Sequence, residues 1–184
     1  MISGRRPPTP GNIVPEPHPD PRDPPYTAAA VNKETREAVA DWLIVVGAVV
    51  LFASLFLTWS HQFSRLFLLT FGSSDLLRGV PRNPTAWQVY SAADVMLALL
   101  AAGLVGAALR GTRNARLALT IPLAVGLAFV IHALAAPPTS GADIFNSALN
   151  RYVADSPRSG AGELTALLAL LIGSAGVLLS FTAD

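Results

Sequence analysis

The sequence predicts an all-α polytopic membrane protein, a four-transmembrane-helix bundle with short interfacial helices in its outer loops. Four apolar stretches carry that reading: Trp42 to Trp59, Val89 to Leu109, Leu117 to Ala136 and Leu164 to Phe181. Each is close to the ~20 helical residues that cross about 30 Å of hydrocarbon. Composition agrees, since 52% of the 184 residues are hydrophobic and 14% charged. A soluble domain of this size could not hide so much apolar surface.

The same composition excludes several kinds of chemistry. A net charge of +1 gives no reason to expect nucleic acid as a partner. The absence of cysteine removes disulfides, thiolate catalysis and Cys-based metal centres. There is no His-Glu-x-x-His, Gly-x-Ser-x-Gly or Gly-x-x-x-x-Gly-Lys motif. His18 and His61 have no metal-ligand spacing. No catalytic residue, cofactor or metal is therefore assigned, and the chain is not expected to be an enzyme.

Residues 1–30 read as a disordered Pro-rich cytoplasmic tail, followed by the transmembrane domain over 31–184. Runs such as Pro15-Glu16-Pro17-His18-Pro19 offer almost no large apolar side chains to offset ordering entropy. The tail has no apolar core of a signal peptide. Pro7-Pro8-Thr9-Pro10 and Pro21-Arg22-Asp23-Pro24 are compatible with a Pro-binding partner, a weaker reading.

Helix is expected from about Asn32, an N-cap with Glu34 in the first turn, into the first span. Trp42 and Trp59 bracket that span and Trp87 precedes the second, so all three are expected as interfacial anchors. Pro84 bars a helix before the second span. Pro122 is expected in the first turns of the third, where a missing donor is tolerated, and Pro137-Pro138 closes it. Gly103/Gly106 and Gly173/Gly176 read as packing residues inside apolar helices.

Orientation follows from the basic residues. Arg110, Arg113 and Arg116 crowd the short connection between spans two and three, and Arg22, Lys33 and Arg36 flank the first span. Both segments are expected in the cytoplasm, with both termini inside and the chain in the inner (plasma) membrane. The opposing loops are not plain linkers. Phe63 to Leu77 suits a helix lying in the interface, and Ile144, Phe145, Ala148, Leu149, Tyr152 and Val153 recur at helical spacing. Both are expected to cap the bundle.

Asp94, His132 and Glu163 are expected at matching depth near the outer ends of spans two, three and four. Intramembrane ionisable groups mark functional sites by default, which makes this trio the candidate polar cluster. Small residues at i+4 steps, Ala98-Ala102-Gly106 after Asp94 and Ala124-Ala128 before His132, suggest that both side chains face neighbouring helices. The structural alternative is preferred: Asp94 and Glu163 sit where helix N-termini favour a carboxylate, and His132 can reach the interface.

The strings Ser54-Leu55-Phe56-Leu57-Thr58-Trp59 and Thr85-Ala86-Trp87-Gln88-Val89-Tyr90-Ser91-Ala92-Ala93-Asp94-Val95, with the Pro137-Pro138 exit and Gly160-Ala161-Gly162, resemble uncharacterised four-span membrane proteins of actinobacteria. The resemblance covers roughly residues 40 to 184, with Thr58 standing where that group commonly has proline. It implies four spans and points to Trp59, Trp87 and Asp94, but brings no activity with it. The reading that results is an accessory or scaffold subunit of a cell-envelope assembly, in contact with lipid and with a partner membrane protein or further copies of itself. An oligomeric transporter or channel subunit using Asp94, His132 and Glu163 is the alternative, and a membrane-embedded enzyme ranks third.

Overall fold

The computed structural model describes residues 28–73, 75–140 and 157–182. In chain order the elements are α1 (Ala28–Ser54), β1 (Ser60–His61), α2 (Arg65–Phe71), a 3-10 turn (Asp75–Leu77), α3 (Ala86–Val89), α4 (Ser91–Arg110), α5 (Arg113–Ala135), β2 (Arg158–Ser159) and α6 (Ala161–Thr182). Helices α1, α4, α5 and α6 are each long and apolar enough to cross a bilayer, so the chain is a multi-pass membrane protein. The expected tail lies outside the described residues apart from its last three positions, which belong to α1. The helix expected over Ile144 to Val153 lies outside them too.

The four long helices form a ring in the order α1, α4, α5, α6, with α1 against α6 the most extensive seam. That seam is close because it is built on glycine. A methyl group at Gly47 would lie 2.7 Å from the Gly173 nitrogen, and one at Gly176 would lie 2.8 Å from the Ala40 carbonyl oxygen. Backbone therefore meets backbone, as small residues permit in membrane helices. Gly173 and Gly176 pack as expected, whereas the Gly106 position faces open space.

The first span differs from the expected one. α1 ends at Ser54, five residues before Trp59, and tapers through i→i+3 bonds from the Leu55, Phe56 and Leu57 amides. The turn back is set by Trp59, whose ring folds under the helix end and donates from Nε1 to the Ser54 carbonyl oxygen at 2.9 Å. α4 closes on Gly111 at φ 62°, and only Gly111 and Thr112 separate it from α5. α5 thus starts earlier than expected, and Pro122 lies well inside it instead of in its first turns.

Side-chain orientation also departs from the i+4 reading. On α4 the buried stripe runs through Asp94, Leu97, Ala101 and Leu104, while Ala102 is exposed. On α5 it runs through Leu123, Gly126, Val130 and Ala133, while Ala124, Ala128 and His132 all point away from the bundle. At the end formed by the α4–α5 turn, Arg116 is buried and donates from Nη2 to Asp41 Oδ1 at 2.7 Å, joining α5 to α1 across the ring. In the sequence Arg116 reads only as a topological charge.

The opposite end is capped. β1 and β2 pair antiparallel, Ser60 opposite Ser159 and His61 opposite Arg158, a ribbon with no sequence signal. Ser60 Oγ donates to the Pro138 carbonyl, and the Ser140 amide donates to Gln62 Oε1 at 2.7 Å. The interfacial helix expected over Phe63 to Leu77 is resolved into α2 and the 3-10 turn, which share a small core of Phe63, Phe67 and Leu77. Ser64 caps α2 by accepting from the Phe67 amide at 3.1 Å.

Candidate functional site

The capped end gathers the chemistry. Trp59 is fully buried, its amide donating to the Pro84 carbonyl and its carbonyl accepting from the Gly160 amide at 2.7 Å. The Gly162 amide donates to the Thr58 carbonyl, and the Gly162 α-carbon lies against the indole so closely that no side chain fits there. Tyr90 meets the Trp59 ring edge-on with centroids 6.0 Å apart, and Phe129 meets Tyr90 at 5.0 Å and Trp59 at 6.5 Å. An aromatic layer drawn from three segments, packed on Gly162 of a fourth, thus closes the bundle. The expectation of Trp59 as an interfacial anchor at a headgroup layer is corrected: its ring is buried in the core. Trp42 and Trp87 are exposed, at 69% and 39%.

Two carboxylates lie beside this layer. Asp94 is in the first turn of α4 and Glu163 in the first turn of α6, and both side chains are fully buried. Tyr90 is within electrostatic reach of both. Among the described residues none of their four oxygens has a hydrogen-bond partner. The Gly160 amide is near Glu163 but is committed to the Trp59 carbonyl. His132 occupies the last turn of α5 at the same end, yet its ring is exposed on the outer face of that helix. The structure therefore brings Asp94 and Glu163 to one buried layer and leaves His132 out. The i+4 alanine series misled here, because small residues mark close approach without saying which neighbour approaches.

Each buried carboxyl needs a proton, a cation or a donor, since an unpaired carboxylate away from water costs several kcal/mol even after the protein relaxes. The helix N-terminus returns at most about 2 kcal/mol. Desolvation wins on these magnitudes. Replacing Asp94 by Leu and Glu163 by Met is accordingly expected to hold or raise the thermal midpoint in detergent, by up to about 1–4 kcal/mol of stability. A clear drop for either would show that a donor from another segment holds that carboxylate. Among the described residues no group of three His, Cys, Asp or Glu could hold a metal ion.

Comparison with known proteins adds no identity: no family model, no curated protein and no solved structure matches the chain.

Proposed function

We propose that this protein is an accessory subunit of a membrane assembly that docks a transmembrane helix of a partner protein on the outer face of α5. The observation that carries the proposal is the character of that face. α5 is the least buried of the four spans and exposes Thr120, Ala124, Ala128 and His132 at four-residue steps. Small residues at that spacing let a second helix approach, and a histidine turned toward lipid gains most from a polar partner across the contact. The filled interior supports the same reading. Ile44, Leu51, Leu104 and Leu170 are fully buried among the helices, which leaves a single copy little room for a solute path.

The chain has no cysteine, so a single cysteine placed at Ala128 reports on this face without background. Cross-linking in native membranes is expected to capture one defined membrane protein, and adding Ala124→Leu on the same exposed face to abolish that product while leaving the thermal midpoint unchanged. Self-linked dimers alone would favour the homo-oligomeric transporter instead. Reporter fusions test the orientation that goes with this proposal: Thr112 in the cytoplasm, Arg65 and Ser140 outside. An external signal at Thr112 inverts it.

A second reading rests on the unpartnered oxygens of Asp94 and Glu163. It takes them as a proton- or cation-handling site opening toward the capped end. Asp94→Asn and Glu163→Gln then keep fold and assembly but abolish function, because an amide exchanges no proton at physiological pH. Unchanged cellular function in both variants would remove this reading.

A further inference from the structure

A second polar feature lies on the capped end, outside the carboxylate layer. A cleft of about 390 Å³ opens between the β1–β2 ribbon and the start of α2. That volume is within the roughly 300–1,000 Å³ of small-molecule sites. Two guanidinium groups, those of Arg65 and Arg158, dominate its polar lining. Antiparallel pairing sets His61 directly opposite Arg158, and cross-strand partners present their side chains on one face of a ribbon. Arg65 enters from the first turn of α2, and Asn83 from the segment before α3. His61 Nδ1 donates to Asn83 Oδ1 at 2.9 Å, which leaves the Asn83 amide NH2 as a further donor. Among the described residues neither Arg65 nor Arg158 has a carboxylate partner, and no acidic residue lines the cleft.

The apolar surroundings say where the ligand comes from. Phe63 and Leu68 form part of the wall, and α2 turns Leu66 and Leu69 outward at 71% and 78% exposure beside Arg65. An exposed apolar strip joined to a pair of guanidinium groups is what an element lying in the headgroup region presents. Phe56, Leu57 and Trp87 are exposed too, with Phe56 and Trp87 6.0 Å apart, and add apolar surface beside the end of α1. Arginine pairs suit phosphate oxygens because each guanidinium offers a planar fork of donors.

We propose that this cleft binds the phosphate of an anionic phospholipid headgroup, held by Arg65 and Arg158 with the Asn83 amide NH2, positioned by His61, completing the donor set and the acyl chains lying along α2. The site fixes the cap to one leaflet. It is independent of the α5 face and of Asp94 and Glu163.

The test uses the full chain in nanodiscs of phosphatidylglycerol or of phosphatidylcholine. The wild type should show a higher thermal midpoint in the anionic discs and retain phosphatidylglycerol in native mass spectrometry. Arg65→Gln with Arg158→Gln should match the wild type in zwitterionic discs, which certifies its fold, and lose the anionic-lipid shift. Retention should fall roughly tenfold per arginine, the scale of a lost charge-assisted hydrogen bond. Arg78→Gln, an exposed arginine that does not line the cleft, should behave as wild type. Equal midpoints in the two lipids, or equal retention by the double variant, overturns the site. If inorganic phosphate in zwitterionic discs protects the wild type as well as anionic lipid does, the lipid assignment is overturned in favour of a soluble phosphate compound.

Discussion

Trp59→Ala is expected to cost about 3–5 kcal/mol, the scale for deleting a fully buried large aromatic side chain. The ring is fully buried, and its Nε1–H is the partner of the Ser54 carbonyl where α1 stops. It also packs on Gly162 at the start of α6 and on Tyr90 and Phe129. One truncation therefore loosens α1, α4, α5 and α6 together. Trp59→Phe should fall between, keeping most of the ring contact and losing the hydrogen bond, which is worth about 1 kcal/mol. Thermal unfolding in detergent gives the order wild type, Phe, Ala. An exposed interfacial anchor would give small losses for both, and that result would return Trp59 to the headgroup layer.

Gly47→Leu should prevent α1 from seating on α6. The nearest atoms to the new side chain are backbone: the Gly173 nitrogen at 2.7 Å, its α-carbon at 2.8 Å and the Ala169 carbonyl oxygen at 2.9 Å. Backbone cannot rotate aside as a side chain can, so even Gly47→Ala is expected to cost about 1–3 kcal/mol, and Leu more. Gly106→Ala supplies the control. Among the described residues nothing lies within 4 Å of a methyl group at that position, and the gain in helix propensity is roughly 0.5–1 kcal/mol. Size-exclusion profiles and thermal midpoints should separate the two glycines. Equal behaviour would mean that α1 and α6 do not meet as described.

Part of the candidate site was readable in the chain. Asp94 and Glu163 stand at positions where apolar runs begin, which located both near helix N-termini at one end of the bundle. Their burial was not readable, nor was the exposure of His132, because the sequence carries no record of which helix lies beside which. Tyr90 sits one turn before Asp94 and Phe129 three residues before His132, so an aromatic residue precedes an ionisable one by about a turn in both spans. Nothing in that spacing distinguished a lipid-facing ring from a packed one. The Asp41–Arg116 pair joins residues 75 apart, and each alone reads as an ordinary flanking charge.

The sequence by itself determined that four helices cross the membrane, because the free energy of placing a residue in hydrocarbon is set by that residue and sums along the chain. It also determined the glycines at 173 and 176 as packing positions and the polar character of the two span entries. The tertiary structure alone decided the ring order, the end of α1 at Ser54, the inward turn of Trp59, the His61–Arg158 ribbon and the outward turn of His132. Those features depend on contacts between segments far apart in the chain. Lipid and protein interior are nearly equally apolar to a leucine, so hydropathy cannot tell the face that packs from the face that meets the bilayer.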